Sequence, residues 1–223
     1  MKSHRRVNSD VRCLLMNRAK TLTLVFILLA GFSGAAAKPA SRIRNIDFNN
    51  FTFLQFWGRR PIKLKQGKLE FESEGCHTEY ELKGVNYVDL TNDGKEEALV
   101  HVEDFTACGS SGVSDYYYIY TIRNGRLRLL WRFGTGSEGL AGLKDFKVAG
   151  RVLVFELFGK YRIVGSKYVD AGEQAIGECC PDHYSRVTVS WDGKRFRQRS
   201  LKSFPFRYKN ITEYYNAIGY LRR

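Results

Sequence analysis

The sequence predicts a mainly β protein: antiparallel hairpins forming a sandwich, an open barrel or a partial propeller-like sheet, with a signal helix before them and a short helix after. Three observations carry this. Turn pairs that tolerate positive φ recur, at Gln66-Gly67, Asp93-Gly94, Asn124-Gly125, Ala149-Gly150 and Asp192-Gly193. The segments beside them are rich in β-branched and aromatic residues, and KLEFESE alternates polar with apolar. Helical patterning is confined to the ends of the chain, an apolar run near the start and TEYYNAIGYL near the finish.

The first element is not part of the fold. Lys2, Arg5, Arg6, Arg12, Arg18 and Lys20 precede the apolar run LTLVFILLAGF, which gives way to small residues ending GAAA. A basic start, a short apolar centre and an A-x-A end predict a secretory signal peptide over residues 1–37, cleaved after Ala37. An uncleaved anchor is the alternative, although the run falls short of the roughly 20 apolar residues of a comfortable membrane span. The mature chain, 38–223, is then exported to a periplasmic or extracellular space and is long enough for a single β-rich domain with a real core.

Within that domain KLEFESE (68–74), EALVHVEDF (97–105), YYYIYTI (116–122) and RLRLLWRF (126–133) read as successive strands, the last two closing a hairpin across Asn124-Gly125. Tyr116, Tyr118 and Tyr120 share one strand face, expected to be core or half-buried. RVLVFELF places Leu153, Phe155 and Leu157 on one face, and RVTVSW pairs with KRFRQR across Asp192-Gly193. FGTGSEGL holds a G-x-G-x-x-G, Gly134 to Gly139, with Glu156 further on. It lacks the following helix and βαβ units of a dinucleotide site and reads as a glycine-rich loop.

Charge is uneven. The leader holds six basic residues and one acidic; the segment from 192 to the end holds nine basic and two acidic, while the body between is nearly neutral. That balance excludes a nucleic-acid protein for the body. It leaves the tail from about 192 as a basic edge strand or, more weakly, a contact for an anionic membrane or envelope surface. The four cysteines outside the leader, Cys76, Cys108, Cys179 and Cys180, are even in number, as expected of disulfides in an exported chain. A bond between neighbours is strained, so the expected pairing joins Cys179 and Cys180 to Cys76 and Cys108, in either combination. Their spacing matches no zinc pattern.

The stretch VDLTNDGKEEALV holds the one metal candidate. Asp89, Thr91, Asp93, Lys95 (through its carbonyl) and Glu97 alternate around the sharp bend that Gly94 permits, which is how oxygen ligands are brought around calcium. The position where an EF-hand needs a bidentate glutamate is Val100 and the flanks are strands, so this is not an EF-hand. An Asp-Gly turn with carboxylates capping backbone N–H groups is the alternative. The pattern D-x-x-x-D-G-x-x-[DE] running into an apolar strand resembles one aspartate/glycine repeat of the FG-GAP and VCBS families. That resemblance, over residues 87–101, implies an extracellular β-rich module with calcium in the loop. The order of IDFNNFTF, this loop, YYYIYTIRNGRLRLLWRF and CCPDHYSRVTVSWDGKRF also resembles small exported bacterial proteins of the acidobacterial kind, and brings no activity with it.

No G-x-S-x-G, H-E-x-x-H or S-x-x-K occurs. The function expected is therefore a non-catalytic binding or interaction module whose partner is a protein, a glycan or an envelope surface, with no nucleic acid. A secreted hydrolase, or an inhibitor of one, is the alternative.

Overall fold

The computed structural model describes residues 42–54, 61–108, 110–136, 142–165, 172–176, 181–205 and Glu213. The signal segment, Cys179, Cys180, the heart of the glycine-rich loop and, apart from Glu213, the expected C-terminal helix lie outside them. The described residues fall within one compact unit, Ala40–Arg223. Among them no helix is long and apolar enough to cross a membrane.

Two 3-10 turns, Arg42–Asn45 and Phe48–Asn50, open the chain. Strands follow as β1 (Thr52–Phe53), β2 (Ile62–Lys63), β3 (Lys68–Ser73), β4 (Cys76–Val88), β5 (Glu97–Cys108), β6 (Ser110–Arg123) and β7 (Arg126–Gly134). Then come β8 (Leu143–Ala149), β9 (Val152–Phe158), β10 (Arg162–Gly165), β11 (Gly172–Ile176), β12 (His183–Trp191) and β13 (Phe196–Pro205). Among the described residues the protein is mainly β, with antiparallel sheets and no closed barrel, and its two larger sheets share one core in the manner of a sandwich. A large sheet has the order β10-β11-β7-β6-β5-β4-β3 and a small one β13-β12-β9-β8. The β6–β7 and β12–β13 hairpins are the ones expected, while β4, paired with β3 across Glu74-Gly75, is an addition to the sequence reading. At β6–β7, Asn124 and Gly125 take φ of 51° and 73°, the left-handed pair that a tight turn between right-twisted strands requires.

One pairing breaks the antiparallel pattern. β11 lies parallel to β7, Gly172 to Gln174 against Arg132 to Gly134. After β7 the chain crosses to the small sheet for β8 and β9 and then returns, and such a crossover can deliver a parallel neighbour where a short turn cannot.

The sandwich core is aromatic. Tyr117, Ile119, Trp131 and Phe133 of the large sheet meet Phe155, Leu157 and Val187 of the small one. Phe155 is fully buried and lies 4.7 Å from Phe133 and 5.3 Å from Tyr117, ring centre to ring centre. The opposite face of the large sheet is covered too. Ile43, Phe48 and Phe53 pack there against Val100, Val102, Tyr116, Tyr118 and Tyr120. Phe53 sits 5.1 Å from Tyr118, whose hydroxyl donates to the Leu54 carbonyl at 2.8 Å. Residues 116–120 are consequently all buried, and this strand reads as a continuous apolar run because neither of its faces meets water.

Truncating Phe155 to alanine removes the ring on which both sheets converge. The expected loss is about 3–5 kcal/mol of stability, read from the denaturant midpoint, with the dependence on denaturant unchanged.

Candidate functional site

The acidic turn joins β4 to β5, and its carboxylates close it from within. Asn92 (φ 63°) and Gly94 (φ 81°) make the two left-handed bends. Asp89 accepts from the N–H groups of Asp93 and Gly94 at 3.2 and 3.1 Å, and Asp93 accepts from the Lys95 N–H at 2.9 Å. Glu97 has no exposed surface. Its Oε2 accepts from the N–H groups of Leu90 (2.8 Å) and Thr91 (3.1 Å), and its Oε1 from the hydroxyls of Thr91 (3.1 Å) and Thr121 (3.4 Å). Arg151, from the β8–β9 turn, donates to the Asp89 carbonyl at 3.3 Å and so ties the small sheet to this bend. Below it Arg44 forms a bidentate pair with Glu96, both bonds 2.8 Å.

The five residues expected to ligate calcium therefore lie in one turn. Asp89, Asp93 and Glu97 each satisfy loop N–H groups, and Thr91 donates to Glu97. Among the described residues no set of three or more His, Cys, Asp or Glu side chains is grouped to hold a metal ion. Burial pushes the Glu97 carboxyl above its ordinary 4.5, against the pull of the Leu90 and Thr91 donors. Asp104, on the opposite face of the large sheet, is likewise raised by burial, although Thr106 and the Tyr116 hydroxyl donate to it.

A second feature went unread in the sequence because it depends on strand register. The small sheet covers only part of the large one. Its edge strand β8 sits over β6, with Phe146 at 4.5 Å from Tyr117, and the sandwich-side faces of β4 and β3 run on beyond it. Between β8 and β4 lies a cleft of about 480 Å³ lined by Asn86, Val88, Phe146, Lys147 and Val148. Further along β4 is a smaller hollow of about 190 Å³ lined by Glu79, Glu81, Glu103 and Phe105. Glu81 and Glu103 are direct cross-strand partners, a placement that like charges disfavour. Lys83, the extra residue of a bulge in β4, bridges them with its ammonium, 2.9 Å from Glu81 and 3.7 Å from Glu103. The Lys83 hydrogen bond holds the Glu81 carboxyl below its ordinary range.

On the same face His101 stacks on Tyr117 (4.6 Å, 9° between planes), and its Nε2 lies 2.6 Å from an Asp115 oxygen. Such a pair orients an imidazole, as in many hydrolases. On the outer face of the small sheet Glu156 takes Lys144 at 2.6 Å and Arg186 at 2.9 and 2.6 Å. Burial alone raises the Glu156 carboxyl, but the two cations outweigh it and its pKa falls. The cations in turn lie over Tyr184 and Phe204, which stack 5.0 Å apart.

Of the cysteines, Cys76 begins β4 and is disulfide-bonded. Cys108 ends β5, where the register His77↔Ala107 brings its backbone next in line opposite Cys76, while its side chain, Cys179 and Cys180 lie outside the described residues. The basic segment from 192 supplies β13, an edge strand, with Arg197 paired to Asp192 and Arg199 donating to Ser190 and the Trp191 carbonyl.

No family model matches this chain, and neither does any curated protein or solved structure.

The raised Glu97 carboxyl makes a signed prediction. A carboxyl whose pKa is higher folded than unfolded contributes stability that is fully present below the unfolded value and lost as pH rises through the folded one. Stability is expected to fall as pH rises from about 4.5, the ordinary glutamate value, and Glu97→Gln is expected to flatten that limb. Urea titrations of both proteins at a series of pH values measure the difference.

Proposed function

We propose that the protein is an exported, non-catalytic interaction module, and that its recognition surface is the part of the large sheet's sandwich-side face that the small sheet leaves uncovered. The observation that supports this reading most is the open trough beside β8, where a sheet edge with no strand partner among the described residues, a cleft walled by Phe146 and Val148 and a row of carboxylates adjoin. The partner class follows the sequence expectation of a protein, glycan or envelope surface. A photo-crosslinking side chain at Asn86, in the trough, is expected to give one discrete adduct in the exporting cell, and one at exposed Arg197 none. Equal labelling from both positions, or none from either, contradicts the reading.

The FG-GAP/VCBS-like turn enters as a brace for β4 and β5, and calcium as an additional brace. A cation there would draw oxygens from Asp89, Thr91, Asp93, the Lys95 carbonyl and Glu97, in exchange for hydrogen bonds those side chains now make. Calorimetric titration of residues 38–223 with calcium is expected to give heat and a raised Tm, both lost in Asp93→Asn. No heat in either protein removes calcium and leaves the hydrogen-bonded brace. For the cysteines, the register favours a Cys76–Cys108 cross-strand disulfide over the pairing expected from the sequence, since directly opposed residues of antiparallel strands lie within bonding range. Non-reducing peptide mapping is expected to recover those two cysteines linked.

One observation favours a hydrolase instead, the His101–Asp115 pair. A hydrolase centred there loses its activity in His101→Ala.

A further inference from the structure

We infer that the trough beside β8 takes an extended, lysine- or arginine-bearing peptide segment, added as a fifth strand to the small sheet. This rests on the interaction-module reading and gives its partner a chemistry.

Three features of the trough select that occupant. The first is the edge. Among the described residues nothing pairs with the outer side of β8. A bulge between Leu143 and Asp145 interrupts the strand's start, so the regular edge is Asp145 to Ala149. Five residues span about 17 Å, enough for the main-chain hydrogen bonds of a short added strand. The second is the width. Beyond β6 the large sheet continues under the trough as β5, β4 and β3, roughly 14 Å of floor at the usual strand spacing. That admits one or two extended strands. It turns away a second copy of this sandwich docked edge to edge, because the two large sheets would occupy the same space.

The third is the charge of the floor. Glu79, Glu81 and Glu103 line its far hollow and Glu70 stands opposite Glu79 on β3; against these four carboxylates stand Lys83 and Lys68, the latter opposite Glu81 and 3.2 Å from Glu79, so negative charge is in excess. Lys83 displays the recognition chemistry, because its ammonium already lies between Glu81 and Glu103. A side chain of the same kind from a docked strand would take that position, and Lys83, on a bulge and exposed, can swing out. Because the side chains of a strand alternate between its two faces, a segment that is basic at every second position turns all of its cations to this floor and its aliphatic residues outward.

The probe is a fluorescein-labelled octapeptide of alternating lysine and valine, titrated against residues 38–223 and read by anisotropy. Binding is expected, and none is expected for the glutamate–valine counterpart. Glu81→Gln/Glu103→Gln is expected to weaken binding at least tenfold. Lys83→Ala, which removes the internal competitor, is expected to tighten it several-fold, an effect that a purely structural role for Lys83 does not give. Successive residues of a strand point their N–H groups to opposite edges. N-methylation of the lysine amides alone, or of the valine amides alone, is therefore expected to abolish binding in one case and spare it in the other. Equal binding of both methylated peptides to the parent means attraction of charge without strand addition and overturns the inference. So does binding unaffected by the glutamate substitutions, or no binding of the lysine peptide. If these fail while Asn86 still crosslinks to one partner, the interaction module stands and the basic strand falls.

Discussion

Burial of the centre of the large sheet on both faces is the constraint from which the rest follows. Phe133 and Tyr117 are covered from one side by the small sheet, and Tyr118 and Val100 from the other by the segment that begins at Ile43. Strands enclosed in this way need apolar residues at every position, and Tyr116 to Tyr120 supply them. Polar groups so enclosed need partners. The Tyr118 hydroxyl has the Leu54 carbonyl, and Glu97 has four donors within its own turn and strand neighbours.

The same constraint places the surface that is left open. Four strands cannot cover seven, and their aromatic anchor at Phe155 and Phe146 fixes them over the centre. The margin formed by β4 and β3 remains, and on it the alternation of each strand returns polar side chains to the sandwich-side face. There the carboxylates can be accessible without entering the core, whereas Glu97, two strands' depth inside, must be held entirely by hydrogen bonds. Both sets belong to the same sheet, and their different depths give them different chemistry.

Much of this was legible in the sequence where the cause is local. The turns follow from the φ that Asn124-Gly125, Gly94 and Gly193 tolerate, and the inward face of β9 from the spacing of Leu153, Phe155 and Leu157. What was not legible depends on partners distant in the chain. IDFNNFTF offered no sign that it caps the back of the sheet, since its neighbours Tyr118 and Tyr120 lie some 70 residues on. Asp89, Asp93 and Glu97 have the spacing of calcium ligands, yet the inward turn of Glu97 depends on Thr121 and on the burial of Leu90. Glu156 fitted a nucleotide pattern by separation alone, and its partners in the fold, Lys144 and Arg186, come from the strands on either side of it in the small sheet. The trough depends on which strand of one sheet ends above which strand of the other, and no local pattern records that.

Native-state hydrogen exchange tests the central constraint most directly. Amides of residues 116–120 and 129–133 are expected to exchange only through global unfolding, with protection equal to the full unfolding free energy. Those of β3 and β8 are expected to exchange through smaller local openings. Uniform protection across all of these strands, or exchange of residues 116–120 by local opening, would contradict a fold organised around a doubly covered central sheet.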